Sequence, residues 1–205
     1  SYIDSRDPFT NLSRLALQSS RINLGPIAIN PFDTHPIRIA TGLLTLNELA
    51  KGRANIVIGG GGESLQSLNI KPLRRVRAVE ECVDILKSIN PDTPFDFNGE
   101  LFQVKNYNPF WATQRRPRVY VAANKTMMLK MASKVSDGIM MSDLPVILIK
   151  DTVRKVVTHL ESFDRNQDNF KFNNFMAWAL YDDKQRAMNE AKQWLGYRGL
   201  FRRWG

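Results

Sequence analysis

Residues 21–62 read RINLGPIAINPFDTHPIRIATGLLTLNELAKGRANIVIGGGG. The apolar run over 21–29 reads as a buried strand. Pro36 is placed to open a helix over 36–50, where Ile39, Leu43, Leu46 and Ala50 recur at helical spacing. Gly52 stops that helix. Residues 54–58 are a short apolar strand running into Gly59, Gly60, Gly61 and Gly62. Strand, helix and strand in succession predict a βαβ unit, and the rest of the chain repeats it.

Downstream, the spacing predicts a helix over 71–89, with Leu73, Val76, Val79, Val83, Leu86 and Ile89 in one stripe and Pro91 beyond its end. Residues 94–104 break the rhythm. Asn98-Gly99 between alternating apolar residues signals a hairpin, inserted near 95–104. The alternation then resumes with strand 118–122, helix 126–135, strand 138–142, helix 145–163, strand 172–180 and helix 183–195. That last helix carries Ala187, Ala191 and Trp194 on one face. Upstream, Tyr2-Ile3 read as the end of a strand, followed by a helix over 11–19 with Leu12, Leu15 and Ala16 inward. With no linker or composition shift, one domain over 1–205 is expected. Alternating βα units predict a parallel sheet covered by helices, either a barrel or an open doubly wound sheet. In both, ligands bind at the carboxyl ends of the strands. That selects Asp4, residues 31–35, 59–63 and 122–126, Ser142 and Asp143.

Composition narrows the function. The 205 residues are 43% hydrophobic and 24% charged, as in a globular protein. No apolar run approaches the roughly 20 residues of a membrane span. The first residues lack the build of a signal peptide. Cys82 is the single cysteine, so the chain has no internal disulfide and no multi-cysteine metal site; it reads as a core thiol in a reducing, cytoplasmic setting. Only His35 and His159 are present, and no metal is expected. The net charge of +9 favours anionic partners. The basic clusters at Arg74, Arg75 and Arg77, at Arg115, Arg116 and Arg118, and at Arg202-Arg203 lack interleaved aromatics, so no nucleic acid is expected.

Several segments can carry chemistry, each with a plainer reading beside it. Glycines 59–62 let backbone approach a ligand and free N–H groups for an anion, with Glu63 beside them as an acid, a base or an acceptor; the plain reading is a flexible βα turn. Ala122, Ala123, Asn124, Lys125 and Thr126 join a strand to a helix start that can hold a phosphate; the plain reading is a helix cap by Asn124 or Thr126. His35 is an acid–base candidate or a satisfied loop histidine. Asp4 and Asp7 flank Arg6 and either orient a ligand or pair with that arginine.

Taken in order, these pieces resemble the luciferase-like flavin and deazaflavin oxidoreductase superfamily. The resemblance rests on Leu24-Gly25, Asn30-Pro31, His35-Pro36, Thr45-Leu46-Asn47-Glu48-Leu49, Gly52-Arg53 and glycines 59–62. Lys71-Pro72-Leu73, the Asn98-Gly99-Glu100-Leu101-Phe102 hairpin, the strand at 119–123 and Asp137-Gly138 continue it. The stretch GGGGESLQSLNIKPLRRVR looks most like the branch that uses coenzyme F420, which includes methylenetetrahydromethanopterin reductases. The resemblance implies an α/β fold of the (β/α)8 TIM-barrel type, with the cofactor ring in the mouth and hydride transfer through the deazaflavin C5 to a small-molecule substrate, methylenetetrahydromethanopterin being a candidate. An FMN-dependent monooxygenase of the same fold is the alternative, and a truncated, non-catalytic ligand-binding barrel a second.

The resemblance also assigns residues. Asp4 and Glu63 are implied as catalytic. Ile27 and Ala28 match a bulge where F420-dependent members have a non-prolyl cis peptide against the ring. Gly61, Gly62, Glu63 and Gln66 match the loop that contacts ring and tail, and Asn30 is a further cofactor-binding candidate. Ala122, Ala123, Asn124, Lys125 and Thr126 match the phosphate loop, and Ser142 a tail contact. A homodimer or higher homo-oligomer of the full-length protein is implied. A complete barrel takes about 250 residues. The pattern therefore reads as a barrel without its first and eighth strands, beginning inside the second.

Overall fold

The computed structural model of the protein describes residues 6–176 and 178–200. Along them run α1 (Pro8–Gln18), β1 (Ile27–Ile29), α2 (Pro36–Leu49), β2 (Asn55–Ile58), α3 (Glu63–Ser67) and α4 (Arg75–Ser88). The hairpin β3 (Phe95–Asn98) and β4 (Gln103–Tyr107) follows, then β5 (Arg118–Ala122), α5 (Thr126–Val135), β6 (Gly138–Ser142), α6 (Val146–Ser162), β7 (Lys171–Phe175) and α7 (Lys184–Leu200).

Five parallel strands form one sheet in the order β1-β2-β5-β6-β7. A doubly wound sheet reverses its strand order at a switch point. This order never reverses, which leaves the singly wound arrangement that curls toward a barrel. Helices α2, α4, α5 and α6 pack side by side in the same sequence. Among the described residues the sheet is an open arc, not a closed cylinder. The expected strand end at Tyr2-Ile3 lies outside the described residues. No described helix is long and apolar enough to cross a membrane.

Alternation decides which side chains meet the helices. Ile56 and Ile58, Val119 and Val121, and Ile139 and Met141 are buried under them. Each such side chain contributes about 1.5–3 kcal/mol. Cys82 belongs to this core, and burial pushes its thiol above the ordinary range. The opposite face carries Asn55, Arg118, Tyr120 and Asn173, which line a cavity of about 600 Å³ toward the amino ends of the strands.

Some boundaries differ from the sequence expectation. The strand expected over 21–29 forms only at Ile27–Ile29; Leu24 pairs separately with Ala54, and Pro26, which precedes Ile27, has no N–H to donate. The helix expected from 71 begins at Arg75, because Arg74 adopts a left-handed conformation (φ 47°) and throws Leu73 out to solvent. The strand expected over 172–180 stops at Phe175. In α7 Ala187 and Trp194 are half-buried and Ala191 is exposed, so the expected inward face is only partly covered.

The hairpin forms where Asn98-Gly99 signalled it, for a different reason. Gly99 is not in a left-handed conformation. A Cβ there would collide with the carboxylate of Glu81. Glu81, fully buried on α4, accepts the N–H groups of Glu100 (2.8 Å), Leu101 (3.0 Å) and Phe102 (3.0 Å) and is paired with Arg77. One buried carboxylate thus satisfies three successive N–H groups of the turn.

Other motif residues hold the frame. Arg53 donates to the carbonyls of Ala16, Ser19 and Ile22 and so closes the end of α1. Asn47 accepts from Ala54 N–H and donates to the Arg115 carbonyl, while Glu48 accepts from Thr113 and Gln114. At the start of β6, Asp137 takes both ends of the Arg116 guanidinium (2.8 and 3.0 Å), the Val119 N–H (2.8 Å) and Lys87 (3.3 Å). Burial opposes the Asp137 charge, but Arg116, the Val119 N–H and Lys87 outweigh it and hold the carboxyl below its usual range. Lys87 shifts the other way from an ordinary ion-paired lysine. Burial lowers it more than Asp137, already shared with Arg116, raises it.

Candidate functional site

At the carboxyl ends of β1, β2 and β5 three small residues lie side by side. A Cβ on Gly59 would stand 3.3 Å from the Cβ of Ala28 and 3.6 Å from that of Ala122. Ala28, Gly59 and Ala122 therefore make a low floor across three strands. The Ile27–Ala28 peptide bond is cis, as expected at that position, and the β1–β2 register shifts between Ile27 and Ile29. Ile27 is exposed, and the ladder closes above the shift with Gly59 N–H donating to the Ile29 carbonyl at 2.8 Å.

Asn30 follows the floor directly after β1. It is buried at 5% exposure and accepts the N–H groups of Phe32 (3.0 Å) and Asp33 (3.1 Å) while its amide donates to Asp33 Oδ2. These bonds fold residues 30–33 into a tight turn. Asn30 Cγ lies 3.7 Å from where a Cβ of Gly61 would be. Gly61 itself needs to be glycine: its φ is +75°, and a Cβ would strike Leu65. Gly62 leads into α3, which Glu63 opens; the Glu63 side chain lies outside the described part, as does the whole of Asp4. Gln66 sits on α3, exposed.

The 122–126 segment divides its labour. Ala122 ends β5 on the floor. Ala123 turns its methyl into the core and spends its N–H on the Met140 carbonyl (3.2 Å). Asn124 does not cap α5. Its side chain bridges two strand ends, donating to the Ser142 carbonyl and accepting the Ser142 N–H, both at 3.1 Å. Thr126 does not cap α5 either. Lys125 occupies the cap position, and no side chain hydrogen-bonds the first N–H groups of the helix. Lys125 and Thr126 are exposed at that end. Ser142 directs its hydroxyl to Asp143 (3.2 Å), and Asp143 also accepts from the Trp194 indole (3.2 Å).

The structure thus gathers Ala28, Asn30, Gly61, Gly62, Ala122, Asn124, Lys125, Thr126 and Ser142 at one end of the sheet. His35 is drawn off into a structural role. Its Nδ1 accepts from Ile37 N–H at the start of α2, and its ring meets Phe102 edge-on. Among the described residues no group of three or more His, Cys, Asp or Glu is placed to hold a metal.

Two features escaped the sequence reading. The short helix α3 buries Leu65 beneath the glycine loop. Arg75 reaches that loop as well, its Cδ lying 3.8 Å from where a Cβ of Gly60 would be. A signal existed for Arg75. Its neighbour Arg77 has Glu80 and Glu81 at helical spacing, whereas the positions three and four beyond Arg75 are Ala78 and Val79.

Chemically, a flat floor of small residues accepts a planar ring. Exposed N–H groups and cations beside it accept an anion.

Comparison with known proteins agrees with this fold. A 5,10-methylenetetrahydromethanopterin reductase of Archaeoglobus fulgidus is 25% identical over 195 residues, covering 93% of this chain and 58% of that protein. The structure of an F420-dependent secondary alcohol dehydrogenase with an F420-acetone adduct superimposes with a TM-score of 0.85 at 16% identity, over 94% of this chain and 62% of that one. A monooxygenase from Streptomyces bottropensis gives a TM-score of 0.78 at 20% identity, over 92% and 60%. The chain spans somewhat under three-fifths of the reductase. A model of the luciferase-like monooxygenase family matches residues 1–203, and the chain belongs to that family.

Proposed function

We propose that the protein works as a coenzyme F420-dependent oxidoreductase. The observation that carries this is the floor formed by Ala28, Gly59 and Ala122 beside the glycine loop. Its fit to a planar ring is steric: a Cβ on Gly59 would stand only 3.3 Å from that of Ala28 and 3.6 Å from that of Ala122, so a side chain there would be crowded out into the space a ring needs. When bound, the deazaflavin supplies the hydride at its C5.

The chain's own residues do the positioning. Ala28 and Ala122 present methyls to one face of the ring, and Gly59 leaves the middle open. Asn30 fixes the turn that holds Gly61. Lys125 and the first N–H groups of α5 face the phosphate end. Asp4 and Glu63 are the candidate carboxylates for handling a proton. The reductase and dehydrogenase relatives support a small substrate, with methylenetetrahydromethanopterin the first to try. The same reading carries a cytoplasmic setting and assembly into two or more copies.

A second reading, an FMN-dependent monooxygenase, is favoured by the Streptomyces neighbour. Titration of the purified protein with F420 and with FMN, followed by ring absorbance and fluorescence, separates the two. Saturable binding of F420 and none of FMN is expected. Binding of reduced FMN with oxygen consumption, and indifference to F420, would establish the second reading instead. Retention of neither points to a non-catalytic domain.

A further inference from the structure

We infer that Arg75 recognises the anionic tail of the cofactor and so sets preference for the phosphorylated, glutamylated deazaflavin over its uncharged riboside. This rests on the F420 reading above. It adds a residue and a discrimination that the reading does not contain.

The basic run Arg74, Arg75 and Arg77 looks uniform in sequence, but the structure splits it. Arg74 is paired with Glu100. Arg77 is paired with Glu80 (3.1 Å), Glu81 (2.9 Å) and Glu100 (3.2 Å). Those contacts use the nearby carboxylates to fasten α4 to the hairpin. Arg75, between them, makes no ion pair among the described residues and points to the other side.

Its stem lies against the glycine loop. The Cβ and Cδ of Arg75 are 3.9 and 3.8 Å from where a Cβ of Gly60 would stand, and the Met128 Cε is 3.5 Å from the same point. Met128 is on the first turn of α5, so Arg75 sits where the glycine loop and the 122–126 segment come together. A guanidinium offers a planar fork of donors that matches phosphate and carboxylate oxygens in pairs. An arginine held over a glycine loop with its charge uncommitted is therefore suited to an anion leaving the floor on this side. Lys125 adds a second charge from the neighbouring strand end.

The test compares F420 with the deazaflavin riboside that lacks the phosphate and glutamates, on the intact protein and on Arg75→Ala and Arg75→Lys. The intact protein should prefer F420. Arg75→Ala should weaken F420 binding about tenfold, the size of one solvent-exposed charge-assisted contact, and leave riboside binding unchanged. Arg75→Lys should recover part of the loss, since it keeps the charge and loses the fork. Added salt should weaken F420 binding to the intact protein more steeply than to Arg75→Ala. Unchanged F420 affinity in Arg75→Ala would overturn the inference and leave the cofactor reading standing. Equal loss for both ligands would also overturn it, by making Arg75 a support of the ring site. If the intact protein binds neither ligand, the cofactor reading fails first, and this inference with it.

Discussion

At the amino ends of the strands, several charged groups are matched to partners. Asp137 is held by Arg116, Lys87 and the Val119 N–H, and Arg165 donates to the carbonyls of Ser133 and Ser136 at the end of α5. At the carboxyl ends the pattern inverts. The floor is made of Ala28, Gly59 and Ala122, α5 starts without a side-chain cap, and Lys125 is exposed beside it. A cavity of about 600 Å³ nevertheless opens toward the amino ends, lined by Asn55, Arg118, Tyr120 and Lys171. The uncapped start of α5 and the exposed Lys125 favour the other end for the proposed site, in keeping with the division of labour in barrels of this class.

The strongest way to break this contrast is to remove Asp137. Asp137→Ala leaves Arg116 and Lys87 without their carboxylate and the Val119 N–H without an acceptor, and should cost about 3–5 kcal/mol. The measurement is the denaturant midpoint. Binding of F420 by the folded fraction should be unaltered; a matching loss of binding would mean the two ends are not independent. The acid limb of stability gives a second readout. A carboxyl held below its unfolded value stabilises above that value, about 3.9, and the contribution disappears as pH falls through the lower folded one. Asp137→Asn should therefore flatten the loss of stability below about pH 4.

At the other end the largest effect should come from Gly59→Leu. The side chain would rise between Ala28 and Ala122 and occupy the floor. F420 binding should fall at least about a hundredfold, equivalent to roughly 2.7 kcal/mol. The measurement is the same fluorescence titration. Retained affinity would show that the ring lies elsewhere, and the amino-end cavity would become the candidate.

Asn124→Ala probes the seam between the two regimes. In sequence Asn124 belongs to the candidate phosphate loop, but its amide ties Ser142 to the end of β5 through both backbone atoms. Stability should fall by about 1 kcal/mol, the worth of ordinary net hydrogen bonds at a half-exposed site. F420 affinity should change by less than about threefold. A large binding loss with no stability loss would return the side chain to the ligand.

How much could be read in the sequence depended on the range of the forces involved. Periodicity is local, and it set β5, α5 and β6 to the residue. Strand order is not local, so the barrel and the doubly wound sheet could not be separated without the family resemblance. Position after a strand was enough to select the Gly61, Gly62 and 122–126 segments. What each residue does there was not legible. Ala123 faces the core and Asn124 faces a strand because of register with β6, which no spacing along the chain encodes. The Glu81 turn anchor was hidden for the same reason: a buried glutamate on an amphipathic stripe looks like an exposed one until the hairpin is laid over it. The pairing of Arg77 with Glu80 and Glu81 is local, and it could have exposed Arg75 as the odd member of its cluster.

The smallest effect should come from Lys87, and it tests why the amino end is stable. Lys87 reaches Asp137 at 3.3 Å and the Val135 carbonyl at 2.6 Å, yet burial lowers its ammonium below the ordinary range. The desolvation cost therefore cancels much of the attraction, because Arg116 already neutralises Asp137. Lys87→Met keeps the buried stem and removes both the charge and the cost. The denaturant midpoint should move by no more than about 0.5 kcal/mol in either direction. A loss approaching that of Asp137→Ala would show that the network acts as a unit, each member holding the others in place. A negligible change beside a large Asp137 effect would show that the carboxylate is the hub and that Arg116 and the Val119 N–H are enough to hold it.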